Sequence, residues 1–135
     1  MAGLRLAKAT VVFFEDLAEL EHKILGMKPC LASYSHRYIV AEGLFACDGT
    51  ICDLPGLVIL KEKHGMKLIV DETLSLGSVG VHGVVDYFNN RITDEPTKWK
   101  YSLRDLDIIL GSLELTVGSI GGFCCTNQVG IKKLQ

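Results

Sequence analysis

The residues best placed to do chemistry lie in Leu68-Ile69-Val70-Asp71-Glu72-Thr73-Leu74-Ser75-Leu76-Gly77, followed by Gly80 and Gly83. An apolar run ends in two carboxylates and opens into a loop with a glycine at every third position. In an open α/β sheet, ligands sit outside the carboxyl ends of the strands, so Asp71 stands where a carboxylate meets a ligand. The plain alternative is a solvated strand-end acid. A second stretch lies later, at Leu113-Glu114-Leu115-Thr116-Val117-Gly118-Ser119-Ile120-Gly121-Gly122-Phe123-Cys124-Cys125. Gly121 and Gly122 permit close backbone approach, either within the fold or to a partner.

Two familiar nucleotide sites share parts of this pattern, and both fail. An apolar run ending in Asp-Glu looks like the Mg²⁺-binding strand of an ATPase, but the chain contains no Gly-x-x-x-x-Gly-Lys-Ser/Thr to hold phosphates. The spacing Gly77-x-x-Gly80-x-x-Gly83 lacks the Gly-x-Gly turn of a dinucleotide fingerprint. His82 lies in the glycine loop, facing a ligand, a partner or solvent. His22, His36 and His64 read as surface or strand-end residues, and spacing alone supports no Ser/His/Asp or Cys/His arrangement.

The elements that must position these residues alternate between strand and helix. Lys8–Phe14 is rich in β-branched and aromatic residues and reads as a strand. Asp16-Leu17-Ala18-Glu19 is a capping-box-like start, followed by Leu17, Leu20 and Ile24 at helical spacing and by Gly26 as a stop. Met27–Ser35 reads as a loop and Arg37–Leu44 as a buried strand ending in Cys47-Asp48-Gly49-Thr50. Pro55 suits a helix start, and Leu54, Leu57, Val58 and Leu60 begin a helix that Gly65 closes. Lys67–Asp71 is the next strand. Val84–Asn89 reads as a short helix, Asn89–Tyr101 as an exposed insertion, and Asp107–Leu110 and Ile120–Cys125 as strands.

This order implies an α/β fold with a mainly parallel sheet and flanking helices. The chain starts at a strand and stops soon after another, without closing helices. Residues 1–135 are therefore expected to form a single partial domain, the central part of a larger one, with residues 89–101 as its exposed insertion.

Composition bounds the function. Of the 135 residues, 48% are hydrophobic and 22% charged, a globular balance that argues against disorder. The formal net charge of -2 leaves out the basic footprint of a nucleic-acid binder. No apolar run approaches the roughly 18–20 residues of a membrane span, and the N-terminus lacks a signal-peptide core. The expectation is a soluble chain. Cys30, Cys47, Cys52, Cys124 and Cys125 are odd in number with two adjacent, which suits neither a disulfide framework nor structural zinc and fits reduced thiols.

The two stretches resemble the central motifs of the pyridoxal-phosphate (PLP) dependent α-oxoamine synthases. The strand motif of that family reads Asp-Glu-Ala-His-Ser-x-Gly-x-x-Gly-x-x-Gly-Arg-Gly, and Asp71, Glu72, Ser75, Gly77, Gly80 and Gly83 match it in register. Leu74 replaces the histidine, and Val84-Val85 replace Arg-Gly. The lysine motif reads Thr-x-x-Lys-x-x-Gly-x-x-Gly-Gly. Gly118, Gly121 and Gly122 fit it, and Leu115 stands at the Schiff-base lysine. These departures resemble those of the non-catalytic first subunits of serine palmitoyltransferase. Arg37–Leu44, Gly49-Thr50-Ile51-Cys52-x-Leu54-Pro55 and Ser119–Cys125 look like that group, and the likeness runs from about Lys8 to Val129.

The resemblance implies part of an aspartate aminotransferase-like large domain. It also implies a heterodimer that condenses L-serine with palmitoyl-CoA to 3-ketodihydrosphingosine, on the cytosolic face of the endoplasmic reticulum membrane. PLP would be held mainly by a lysine-bearing second subunit. Asp71 would occupy the pyridine-nitrogen position, where a carboxylate keeps that nitrogen protonated and the ring an electron sink. Gly77, Gly80, Gly83, Gly121 and Gly122 would face the partner, and this chain would contribute no catalytic residue and bind no metal. The rival is a stand-alone scaffold with a decayed PLP fold. Leu115 weighs against an active synthase.

Overall fold

Alternating burial organises the sheet: Ile39, Ala41, Leu68 and Val70 are buried, while Tyr38, Val40 and Glu42 between them are exposed. The computed structural model describes residues 6–27, 33–34, 36–91 and 101–126. The chain divides into two compact units, Met1–Tyr34 and Ser35–Gln135.

In the first unit, helix α1 (Leu17–Gly26) begins as its sequence demands, with Asp16 Oδ1 accepting from the Glu19 N–H at 2.7 Å. Glu19 returns to the Glu15 N–H rather than to the cap residue, also at 2.7 Å, and pairs with Lys23. Leu20 and Ile24 are its buried stripe. The strand expected over Lys8–Phe14 does not form: no residue there is paired in a sheet. β-branched residues favour a pleated, half-buried surface, but a strand exists only where another edge takes its hydrogen bonds. Phe13 is exposed, and its carbonyl accepts from Lys23 Nζ at 2.6 Å.

In the second unit, the order is β1 (Tyr38–Glu42), α2 (Leu54–His64), β2 (Lys67–Asp71), α3 (Val84–Arg91), a short 3-10 turn (Leu103–Asp105), β3 (Ile108–Ser112) and β4 (Gly122–Thr126). Among the described residues the sheet has four strands in the order β1-β2-β3-β4. β1, β2 and β3 are parallel, and β4 returns antiparallel to β3. The fold is therefore α/β with a mainly parallel sheet. Among the described residues β1 is an edge strand with one exposed face, which corrects the reading of Arg37–Leu44 as buried.

Helix α2 supplies the cover for β2 through Leu54, Leu57, Val58 and Leu60, and also packs against α3. Asp53 caps it by accepting from the Gly56 N–H at 3.1 Å, and Gly65 ends it at φ +60°, a left-handed turn that costs other residues strain. At the amino end of the sheet, Asp107 gathers Lys61 of α2 (2.9 Å), Lys67 of β2 (3.0 Å) and the Leu68 N–H (2.9 Å). This knot fixes α2, β2 and β3 together.

Asn89 closes the base of the segment expected to be an insertion. Its amide donates to the Tyr101 carbonyl at 2.8 Å and accepts from the Tyr101 N–H at 2.9 Å. Residues 92–100 between them lie outside the described residues, as do most of Met27–Ser35, Cys30 and residues 127–135.

Candidate functional site

The carboxyl ends of β1, β2 and β3 and two loops make the candidate site. Parallel register sets Glu42 beside Asp71, and Asp71 beside Leu110. Asp71 is half-buried, and its Oδ1 accepts from the Thr73 N–H at 3.0 Å, which turns the chain out of the strand. Its carbonyl accepts from the Gly43 N–H at 2.8 Å. Glu42 is exposed and holds the Ala46 N–H at 3.0 Å. The strand-end position expected for Asp71 is thus occupied by its carboxylate.

The buried acid of the pair is Glu72, which is 1% exposed. Its N–H donates to the Leu110 carbonyl at 2.7 Å, which anchors it beside β3. Ser75 Oγ donates to Glu72 Oε2, and the Val84 N–H donates to both carboxylate oxygens at 3.3 Å. Burial pushes the Glu72 carboxyl above its ordinary value, more than these hydrogen bonds pull it down. Burial, with the charges of Glu72 and Asp53, also pushes the neighbouring Cys52 thiol up to about 12. Cys52 is therefore an inert thiol, whereas Cys47, Cys124 and Cys125 are exposed.

The glycines divide by what surrounds them. A side chain at Gly83 would overlap the Glu72 carboxylate, and one at Gly80 would fall 2.7 Å from the Gly83 carbonyl. Gly122 faces the Gly111 carbonyl, which a Cβ would approach to 2.9 Å. These three glycines have reasons within the chain. Gly77 turns at φ +76°, and a Cβ there would lie 3.5 Å from Thr116 Oγ1. The glycine loop and the β3–β4 loop therefore meet at Gly77 and Thr116. Gly121, at φ +118°, has nothing within 4 Å of an added Cβ.

The β3–β4 loop is held by its own backbone: Leu113 N–H to the Gly121 carbonyl and Ser119 N–H to the Leu113 carbonyl, both at 2.9 Å. It presents Leu115, Val117 and Ile120, which are 57%, 62% and 97% exposed. The glycine loop adds Val81, also well exposed. His82 is exposed and bonded through Nδ1 to Asp86 at 3.0 Å, so its ring supports the start of α3. Among the described residues, no group of three His, Cys, Asp or Glu side chains stands ready for a metal ion.

Sequence reasoning missed Glu72 and Gly43 as a pair. A Cβ at Gly43 would come within 2.7 Å of Glu72 Oε2 and 2.9 Å of Val84 Cγ1. The available signal was the spacing of Glu72 and Ser75, three residues apart in the turn that follows a strand.

No protein-family model matches the chain. Serine palmitoyltransferase 2 of Caenorhabditis elegans is 32% identical over 98% of the chain, and serine palmitoyltransferase 2 of Saccharomyces cerevisiae 33% over the same share. The chain is similar to part of these serine palmitoyltransferases. It spans about a quarter of the length of these relatives, 24% and 23%. The solved serine palmitoyltransferase of Sphingomonas wittichii superposes with a TM-score of 0.69 at 26% identity, covering 93% of this chain and 29% of that one. A serine palmitoyltransferase with a PLP internal aldimine gives a TM-score of 0.65 at 23% identity, over 88% of this chain and 26% of that one, a likeness of fold. The α/β fold is thus one that solved serine palmitoyltransferases share.

Among the described residues, those at the carboxyl ends of the strands do not fit a covalently held PLP. A Schiff base needs a primary amine. Neither the glycine loop Thr73–Gly83 nor the β3–β4 loop Leu113–Gly121 contains a lysine, and Leu115 offers only hydrocarbon. Lys61 and Lys67 are bound to Asp107 at the opposite end of the strands.

Proposed function

We propose that this chain is part of a non-catalytic first subunit of serine palmitoyltransferase, a PLP-dependent acyltransferase of sphingolipid synthesis. The assembled enzyme condenses L-serine with palmitoyl-CoA to 3-ketodihydrosphingosine. In this reading the cofactor and its lysine belong to a second subunit. The present chain completes the shared site with the glycine loop and the β3–β4 loop. Asp71 keeps the strand-end place of the pyridine-nitrogen carboxylate.

The observation that carries the reading is Leu115, exposed in a loop without any amine, on a chain similar to part of serine palmitoyltransferases. The names of the relatives bear the numerals 2 and 3, so the assignment to a first subunit rests on Leu115 and Leu74. Leu74 supports it independently, since it removes the only ring-forming side chain that the motif would set at that turn. Among the described residues no helix is long and apolar enough to cross a membrane. Residence at the endoplasmic reticulum membrane would then come through the assembled complex. Residues 1–135 are read as one partial domain with residues 89–101 as an exposed insertion.

The test is co-expression of the tagged chain with a lysine-bearing second subunit. Recovery of a PLP-containing complex that condenses serine with palmitoyl-CoA is expected. Failure of the chain to capture that subunit would overturn the proposal in favour of a stand-alone scaffold.

A further inference from the structure

We infer that Glu72 is a positioning residue: its carboxylate caps helix α3 from across the chain and fixes the glycine loop in the shape that meets the β3–β4 loop. The inference concerns this chain alone and does not need the proposed function to hold.

The first ground is the way α3 starts. The residue before it is Gly83, which has no side chain to satisfy the free N–H groups of a first turn. Glu72 fills that role from twelve residues away, accepting from the Val84 N–H with both oxygens. A carboxylate there also meets the positive end of the helix.

The second ground is the space around the carboxylate. Two glycines on different elements, Gly43 after β1 and Gly83 before α3, are cut away to admit it. Burying an ionisable group costs free energy unless it is fully bonded, and a hydrocarbon would fill the same space at less cost. The arrangement makes sense if the carboxylate's bonds are what the site needs. Those bonds join the end of β2, Ser75 inside the loop and Val84 at its far end, so one side chain closes residues 73–83 on itself.

The third ground is where the loop goes once closed. The Leu76 N–H returns to the Glu72 carbonyl at 3.0 Å and the Gly77 N–H to the Gly80 carbonyl at 2.8 Å. Gly77 is thereby held at the approach to Thr116. The titratable and charged groups around the carboxylate are Asp71 at the end of β2, Cys52 ahead of α2, and His82, Arg104 and Cys125, which line the same cleft of about 380 Å³.

Amide hydrogen exchange of the full 135-residue chain tests the inference. Glu72→Ala should raise exchange at Val84 about tenfold or more, the loss of a hydrogen bond to a charged group, while Leu68 and Val70 in β2 keep their protection. Glu72→Gln keeps one carbonyl acceptor and should restore much of the Val84 protection. Protection at Val84, corrected for intrinsic exchange, should vary with pH in the natural chain and not in Glu72→Gln. An unprotected Val84 in the natural chain would overturn the inference. So would a Val84 rate unmoved by Glu72→Ala, or an equal rise at Leu68 and Val70, which would make Glu72 a general stability residue.

Discussion

Gly83 lies directly against the Glu72 carboxylate, and the absence of a side chain at one residue is the space that the other occupies. The pair joins the end of a core strand to the start of a helix, and the loop between them carries Gly77 and Gly80.

Gly83→Ala should therefore be among the most damaging small substitutions. It imposes a Cβ at φ +65° and overlaps a buried carboxylate. The expected loss is about 2–4 kcal/mol, from strain and overpacking together. Gly26→Ala is the control. Gly26 ends α1 without a positive φ and has nothing within 4 Å of an added Cβ, so a gain of about 0.4–1 kcal/mol is expected. Urea unfolding of the two variants against the natural chain measures both.

Stability should respond to pH at two acids in opposite senses. At Asp107, burial pushes the carboxyl up, but the Leu68 N–H and the Lys61 and Lys67 ammonium groups together outweigh it and hold it below 3.8. Its contribution is present above that ordinary value and lost as pH falls through the folded one. Glu72 is raised above 4.5, so its contribution is fullest below that value and declines as pH rises through the folded one. Asp107→Asn should flatten the acid limb of the stability profile, and Glu72→Gln the limb above pH 4.5. Denaturant midpoints measured across pH would show each limb, and unchanged profiles would refute the assignments.

Ile120 tests the surface. It is 97% exposed, so Ile120→Asp removes no packing within the chain and should leave the unfolding midpoint within about 0.5 kcal/mol of the original. Capture of the lysine-bearing subunit should weaken by about tenfold or more, as for a buried apolar anchor. Glu62→Ala, at an exposed position on α2, should change neither. Equal binding of the two variants, read by co-purification, would remove the β3–β4 loop from the interface.

What could be read in the sequence was what neighbours in the chain decide. Strand Lys67–Asp71 has the same bounds in both readings, and α2 starts at Asp53-Leu54-Pro55 and stops at Gly65 because caps act within one turn. The strand expected at Lys8–Phe14 failed because pairing depends on an edge that propensity cannot supply. The exposed face of β1 was hidden for a related reason: Tyr38, Val40 and the buried Ile39 are all apolar, so only the fold separates them. The site was half legible. Asp71 could be placed from its strand, but Glu72 owes its burial to Gly43, Ser75 and Val84, brought together from three elements.

In the proposed function this chain brings a shaped surface and no Schiff-base lysine to a shared PLP site. Borohydride reduction of the co-purified complex in the presence of PLP, followed by peptide mapping, tests it most directly. The account predicts one stoichiometric phosphopyridoxyl group on the partner subunit and none on this chain, with Leu115→Lys alone failing to support serine-dependent condensation by this chain because Leu74 remains. A stoichiometric adduct on a lysine of this chain close to Asp71 would contradict it.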